Sequence, residues 1–173
     1  MRSSLRPSTP HRANTQVESR LLAIDLGLRT GMAVFGEDGR LLRYRSQHYA
    51  TRGSLGRAIP AILDAIPGLT TLVVEGGGGL LKPWEREAAR RGLDVVRTSA
   101  DFWRPALLLP RDQRGTSRAK RAAGEMARRV IDWSDAPSPT SLRHDAAEAI
   151  LIGLWAVLML GWLGQLPADL MRR

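Results

Sequence analysis

From Leu21 onward the chain alternates short apolar runs with polar turns, and the spacing of those runs predicts its elements. Leu21 to Ile24 reads as a buried strand closed by Asp25, Gly31 to Phe35 as a second, and Leu41 to Tyr49 as a third with partial alternation; Glu37-Asp38-Gly39 is a turn. Connections this short join antiparallel neighbours, so the three strands form a meander. Leu55 to Ile66 has helical spacing around Pro60, which starts or kinks that helix, and Pro67-Gly68 ends it. Thr71 to Glu75 is then a strand reached through a helical crossover, which lets it run parallel to the first. After four glycines a helix is expected from Pro83 to Gly92, followed by a fifth strand from Leu93 to Arg97. Thr116 or Ser117 caps a basic helix reaching Ile131, and Ser138 to Ser141 lead into a last helix from Leu142 to Leu163. The order β-β-β-α-β-α-β-α-α implies an α/β domain over residues 19–166. Its sheet is mixed and five-stranded, an antiparallel three-strand meander plus two parallel strands, with helices on both faces. Residues 167–173 read as a C-terminal tail.

The uncharged stretch from Ile150 to Gly164 approaches the length of a membrane span. Asp145 and Glu148 at its start, and the need of one sheet face for a cover, favour a buried core or dimer helix instead.

Composition narrows the chemistry. The net charge of +9 rests on 24 Arg and two Lys, Lys82 and Lys120, which suits bidentate contacts to phosphates; a coding bias toward Arg would give the same balance with no partner. The chain has no cysteine, which excludes thiolate metal sites and cysteine nucleophiles, and its three histidines (His11, His48, His144) are scattered. Any metal is therefore held mainly by carboxylates, which favours Mg²⁺ or Mn²⁺. Residues 1–18 carry Arg, Ser, Thr and Pro with no acid before Glu18, and read as a disordered basic arm whose composition also resembles an organelle transit peptide.

Four acids stand where acids are unexpected. Asp25 and Glu75 each close an apolar strand, and if those strands are parallel neighbours both carboxylates emerge at the carboxyl-end edge where open α/β sheets bind ligands. Asp145 and Glu148 are three residues apart, hence on one helix face, ahead of an apolar stretch that packs on the sheet. Four converging carboxylates repel one another unless cations neutralise them, and a pair of divalent ions suits phosphodiester hydrolysis. Taken singly, each acid has a structural reading: Asp25 as a turn residue, Glu75 as a loop residue, Asp145 and Glu148 as favourable charges in a first helical turn.

The segments AIDLGLRTGMAVF, LVVEGG and RHDAAEAILIGLWA, in this order, resemble the RuvC-type Holliday junction resolvases, nucleases of ribonuclease H-like fold. The resemblance covers most of residues 20–160. It implies that Asp25, Glu75, Asp145 and Glu148 are the catalytic acids and bind two Mg²⁺ or Mn²⁺ ions. It further implies that Lys120 lies on a basic helix near the scissile phosphate, and that a cytoplasmic homodimer nicks four-way DNA at the nucleoid. Three positions depart from the pattern. Leu26 stands where proline is usual, Glu148 where aspartate is usual, and GGGGLLKPW is unusually glycine-rich where the family places a junction-probing aromatic. His144 is an alternative ligand, or a residue at the helix start.

Arg118, Lys120, Arg121, Arg128 and Arg129 lie on the basic helix, and Arg118, Arg121 and Arg129 can share a side that tracks a phosphate backbone; a solvated face is the other reading. Lys82 adds charge near the glycine loop, and Trp84 there is a candidate wedge into an opened junction. Trp103 is expected to pack under a loop. Three other functions stay open. They are a non-catalytic DNA-binding module, a ribonuclease H-like enzyme acting on RNA or hybrid duplex, and a nucleotide-binding protein suggested by IDLGLRTG. The last needs two lobes, whereas this chain has room for one, so no small-molecule cofactor is expected.

Overall fold

Strands β1 (Arg20–Asp25), β2 (Arg29–Gly36) and β3 (Leu41–His48) are joined by tight turns and pair antiparallel in a computed structural model that describes residues 18–113 and 115–171. Residues 1–17, nearly all of the expected basic arm, lie outside the described residues. Helix α1 (Arg52–Asp64) carries the chain over one sheet face to β4 (Leu69–Glu75), and α2 (Leu81–Arg91) carries it on to β5 (Asp94–Thr98). Both crossovers return parallel, β4 beside β1 and β5 beside β4, so the sheet has the order β3-β2-β1-β4-β5. On the opposite face lie α3 (Ala100–Leu107), α4 (Thr116–Trp133) and α5 (His144–Met159); α6 (Ala168–Met171) follows.

Strand alternation sorts the apolar residues between two cores. Leu22, Ile24, Leu72 and Val74 point toward α1 and α2, whereas Leu21, Ala23, Phe35 and Val73 point toward α5. Local chemistry sets the helix ends. Thr51 and Ser54 form a reciprocal capping box at the start of α1, and Gly92 (φ 67°) closes α2 in the left-handed conformation. Helix α1 begins three residues earlier than its apolar spacing suggests and runs through Pro60.

Helix α5 is apolar on nearly all sides because it is enclosed between the sheet and α4. Among the described residues no helix is long and apolar enough to cross a membrane. The helix is shorter than the apolar run, ending at Met159 just before Gly161 (φ 72°). Two further differences stand out. ADFWRPAL is a helix, and within the expected C-terminal tail residues 168–171 form α6, whose Leu170 is buried in the α4–α5 core.

Two glycines allow α5 to lie close on β2. A Cβ on Gly31 would sit 1.9 Å from the carbonyl oxygen of Asp145 and 2.3 Å from its carbon. Seven residues along from Ala146, a Cβ on Gly153 would sit 2.2 Å from the Phe35 ring. The first obstacle is backbone and cannot rotate away, whereas the second is a side chain. Gly31→Ala is therefore expected to cost at least the upper end of the ~1–3 kcal/mol typical of overpacking, and Gly153→Ala less, measured by urea unfolding. Equal and negligible losses would show that α5 does not approach β2 this closely.

Candidate active site

The carboxyl ends of β1 and β4 are in register, with Asp25 opposite Glu75; Asp25 is also opposite Gly31 on β2, and Glu75 opposite Thr98 on β5. By alternation from Ala23 and Val73, both carboxylates project on the α5 face. There Gly31 lets the first turn of α5 descend onto the same row, bringing Asp145 and Glu148 with it. Four acids expected at element ends thus meet at one sheet edge, because strand register fixes two and a missing side chain admits the others.

Their surroundings differ. Asp145 is 8% exposed, and its Oδ2 is buried without a hydrogen-bond partner. Glu148 accepts from the Arg104 guanidinium at Oε1 (2.6 Å), and its Oε2 lies 3.2 Å from Nε2 of His144, one helical turn away. Glu75 accepts from the Trp103 indole N–H and the backbone N–H of Ala100, both on α3. Burial raises the Glu75 carboxyl; the Trp103 hydrogen bond opposes that and Glu148 adds to it. Asp25 is pushed up to about 7, first by burial, then by the charges of Glu148, Glu75 and Asp145 and by a hydrogen bond shared with Glu148. Such burial and crowding keep a proton on Asp25 well above the usual carboxylate range.

The donors suit a hard divalent cation: carboxylate oxygens, one imidazole, an unpartnered buried oxygen, and repulsion that positive charge would relieve. Among the described residues, no three His, Asp or Glu side chains stand in positions that could together hold a metal ion. Glu148 turns instead to Arg104 and His144, and Glu75 to Trp103.

The remaining expected residues lie on other elements. Lys120 is exposed on α4, and the cation that touches the cluster is Arg104. Arg118, Arg121 and Arg128 are exposed along α4, while Arg129 is half-buried and reaches the sulfur of Met126. Lys82 is exposed at the start of α2. Trp84 is fully buried in the α1–α2 core, so it is no wedge: at its place on α2 it faces the sheet, beside the buried Leu81 and Ala88. The exposed aromatic in the segment that contacts the acids is Phe102, 66% exposed. Trp103 is buried as expected, but its indole also serves Glu75. Ser99 at a cap position and Asp101 in the first turn are the signals that mark α3 as a helix; Pro105 obscures them.

No family model matches the sequence, and no curated protein does. Among solved structures, the catalytic core domain of BIV integrase aligns over 83% of this chain and 84% of its own, with 11% identity and a TM-score of 0.32. A likeness at that level carries no weight for fold or chemistry, which rest on the strand order and the acids themselves.

In the unfolded chain Asp25 returns to the ordinary value of 3.8, whereas in the fold it keeps its proton up to about 7. The native state therefore holds the extra proton between these values, and stability falls as pH rises through that window. With divalent ions chelated, Asp25→Asn is expected to be more stable than the wild type near pH 8 by about 2–4 kcal/mol, with the gap closing toward pH 4. Parallel urea titrations across that range check this, and a gap that does not depend on pH contradicts the crowded site.

Proposed function

We propose that this chain is a metal-dependent nuclease of ribonuclease H-like fold, and more narrowly a RuvC-type resolvase that cuts four-way DNA junctions as a homodimer in the cytoplasm. One observation carries the reading: Asp25 and Glu75 stand in register at the carboxyl edge of parallel strands, with Asp145 and Glu148 lowered onto them. Asp25, Glu75, Asp145 and Glu148 would hold two Mg²⁺ or Mn²⁺ ions, with His144 as a further donor. When bound, such ions supply the charge neutralisation and Lewis acidity that phosphodiester hydrolysis needs.

The chain's own residues do the rest. Trp103 and Ala100 fix Glu75 through N–H donors, and α5 holds Asp145 and Glu148 on one face. The exposed Arg118, Lys120, Arg121 and Arg128, with Arg129 and Lys82, offer cations to a nucleic-acid backbone. A second reading, a non-catalytic nucleic-acid-binding protein of the same fold, is favoured by one fact: both Glu148 oxygens are engaged within the protein.

The test is the full chain with Mn²⁺ or Mg²⁺ on a four-way junction, linear duplex, single strand and RNA/DNA hybrid. Paired symmetric nicks in the junction are expected, falling to background in Asp25→Asn while binding persists. Cutting of the hybrid alone would move the substrate to RNA, and binding without cutting under either ion would establish the second reading. Replacing Arg118 and Arg121 with Gln is expected to flatten the slope of log K against log salt by about 2, measured by fluorescence anisotropy. An unchanged slope would leave these arginines as a solvated face.

A further inference from the structure

Helix α3 delivers its polar groups to two of the four acids. Ala100 and Trp103 donate to Glu75, and Arg104 donates to Oε1 of Glu148 at 2.6 Å. The two side chains differ in freedom. Trp103 is fully buried, so its indole is a fixed post, whereas the Arg104 side chain is 34% exposed and has a way out to solvent. Between these environments the guanidinium lies over the Trp103 ring, its Cζ 5.1 Å from the centroid.

The oxygen that Arg104 occupies belongs to an acid only 12% exposed, in a cluster where burial first and repulsion after it raise Asp25. A guanidinium there does part of what a divalent ion would do, relieving repulsion in a poorly solvated place. The two cannot use the same oxygen, and they repel each other at such range. Building on the nuclease reading, we propose that Arg104 is a resident counter-ion: it holds Glu148 until a divalent ion takes that oxygen, then turns outward across the Trp103 face. Once released, its nearest use is on a phosphate of the bound strand, for which its planar fork is suited. Trp103 stays in place in both states as a positioning residue for Glu75.

Mn²⁺ binding to the full chain without DNA, followed by titration calorimetry, separates this from a structural role. Arg104→Met is expected to bind Mn²⁺ about tenfold or more tightly than the wild type, because removing a charged hydrogen bond frees the acid. In a Glu148→Gln background the same change should have no effect, since the contested oxygen is no longer anionic. Near-UV circular dichroism checks folding, and Arg104→Gln serves if the Met variant is misfolded. Equal or weaker Mn²⁺ binding in the folded variant overturns the counter-ion role and leaves the nuclease reading intact. Absence of Mn²⁺ binding in the wild type and both variants overturns that reading together with the inference.

Discussion

The carbonyl of Asp145 lies where a Cβ of Gly31 would be, so the start of α5 rests on the backbone of β2 with no side chain between them. Gly31 is the register partner of Asp25, and Asp25 of Glu75, so the contact is made on the row that carries the acids. Any larger residue at Gly31 would lift the first turn of α5 and take Asp145 and Glu148 away from the strands. Near the middle of the same helix, Gly153 receives the edge of Phe35 and fixes the helix along β2. The site is thus assembled by backbone proximity, with its side chains carried along.

That assembly concentrates negative charge where water is scarce. The fold answers with neutral donors for Glu75, a guanidinium and an imidazole for Glu148, and a retained proton on Asp25. Asp145 gets no such help at Oδ2. These are different remedies for one problem, with α3 supplying the donors for Glu75 and the guanidinium for Glu148. Apolar groups of similar volume would be at least as stable here, so stability alone does not account for the four acids.

Much of this was legible in the sequence, and the rest was not for identifiable reasons. Apolar runs bounded by turns revealed all five strands, and the place of Asp25 and Glu75 at the ends of their runs put both on one edge once the two strands are parallel neighbours. The pair in α5 was legible from its three-residue spacing. Helix α3 was hidden because Pro105 breaks its pattern, and with it went the two residues that hold the acids, Trp103 and Arg104. Trp84 was misjudged because the glycines before it suggest an open loop, whereas Leu81, Trp84 and Ala88 form the inward stripe of α2. No sequence pattern announces that Gly31 faces a helix backbone: that depends on which helix crosses β2, a long-range fact. The docking of Leu170 is of the same kind.

Helix α5 is enclosed for most of its length, with Ile150, Leu151, Ile152 and Leu154 all fully buried. A helix held this way does not fray or slide independently of the domain, so the two acids at its start share the fate of the whole core. On the proposed reading, occupancy of the four acids and global unfolding would become one equilibrium, in which a bound cation shifts the population of folded chains and denaturant displaces it in turn. Amide hydrogen-exchange protection deep in α5, far from any ligand, would rise and fall with what is bound at its tip.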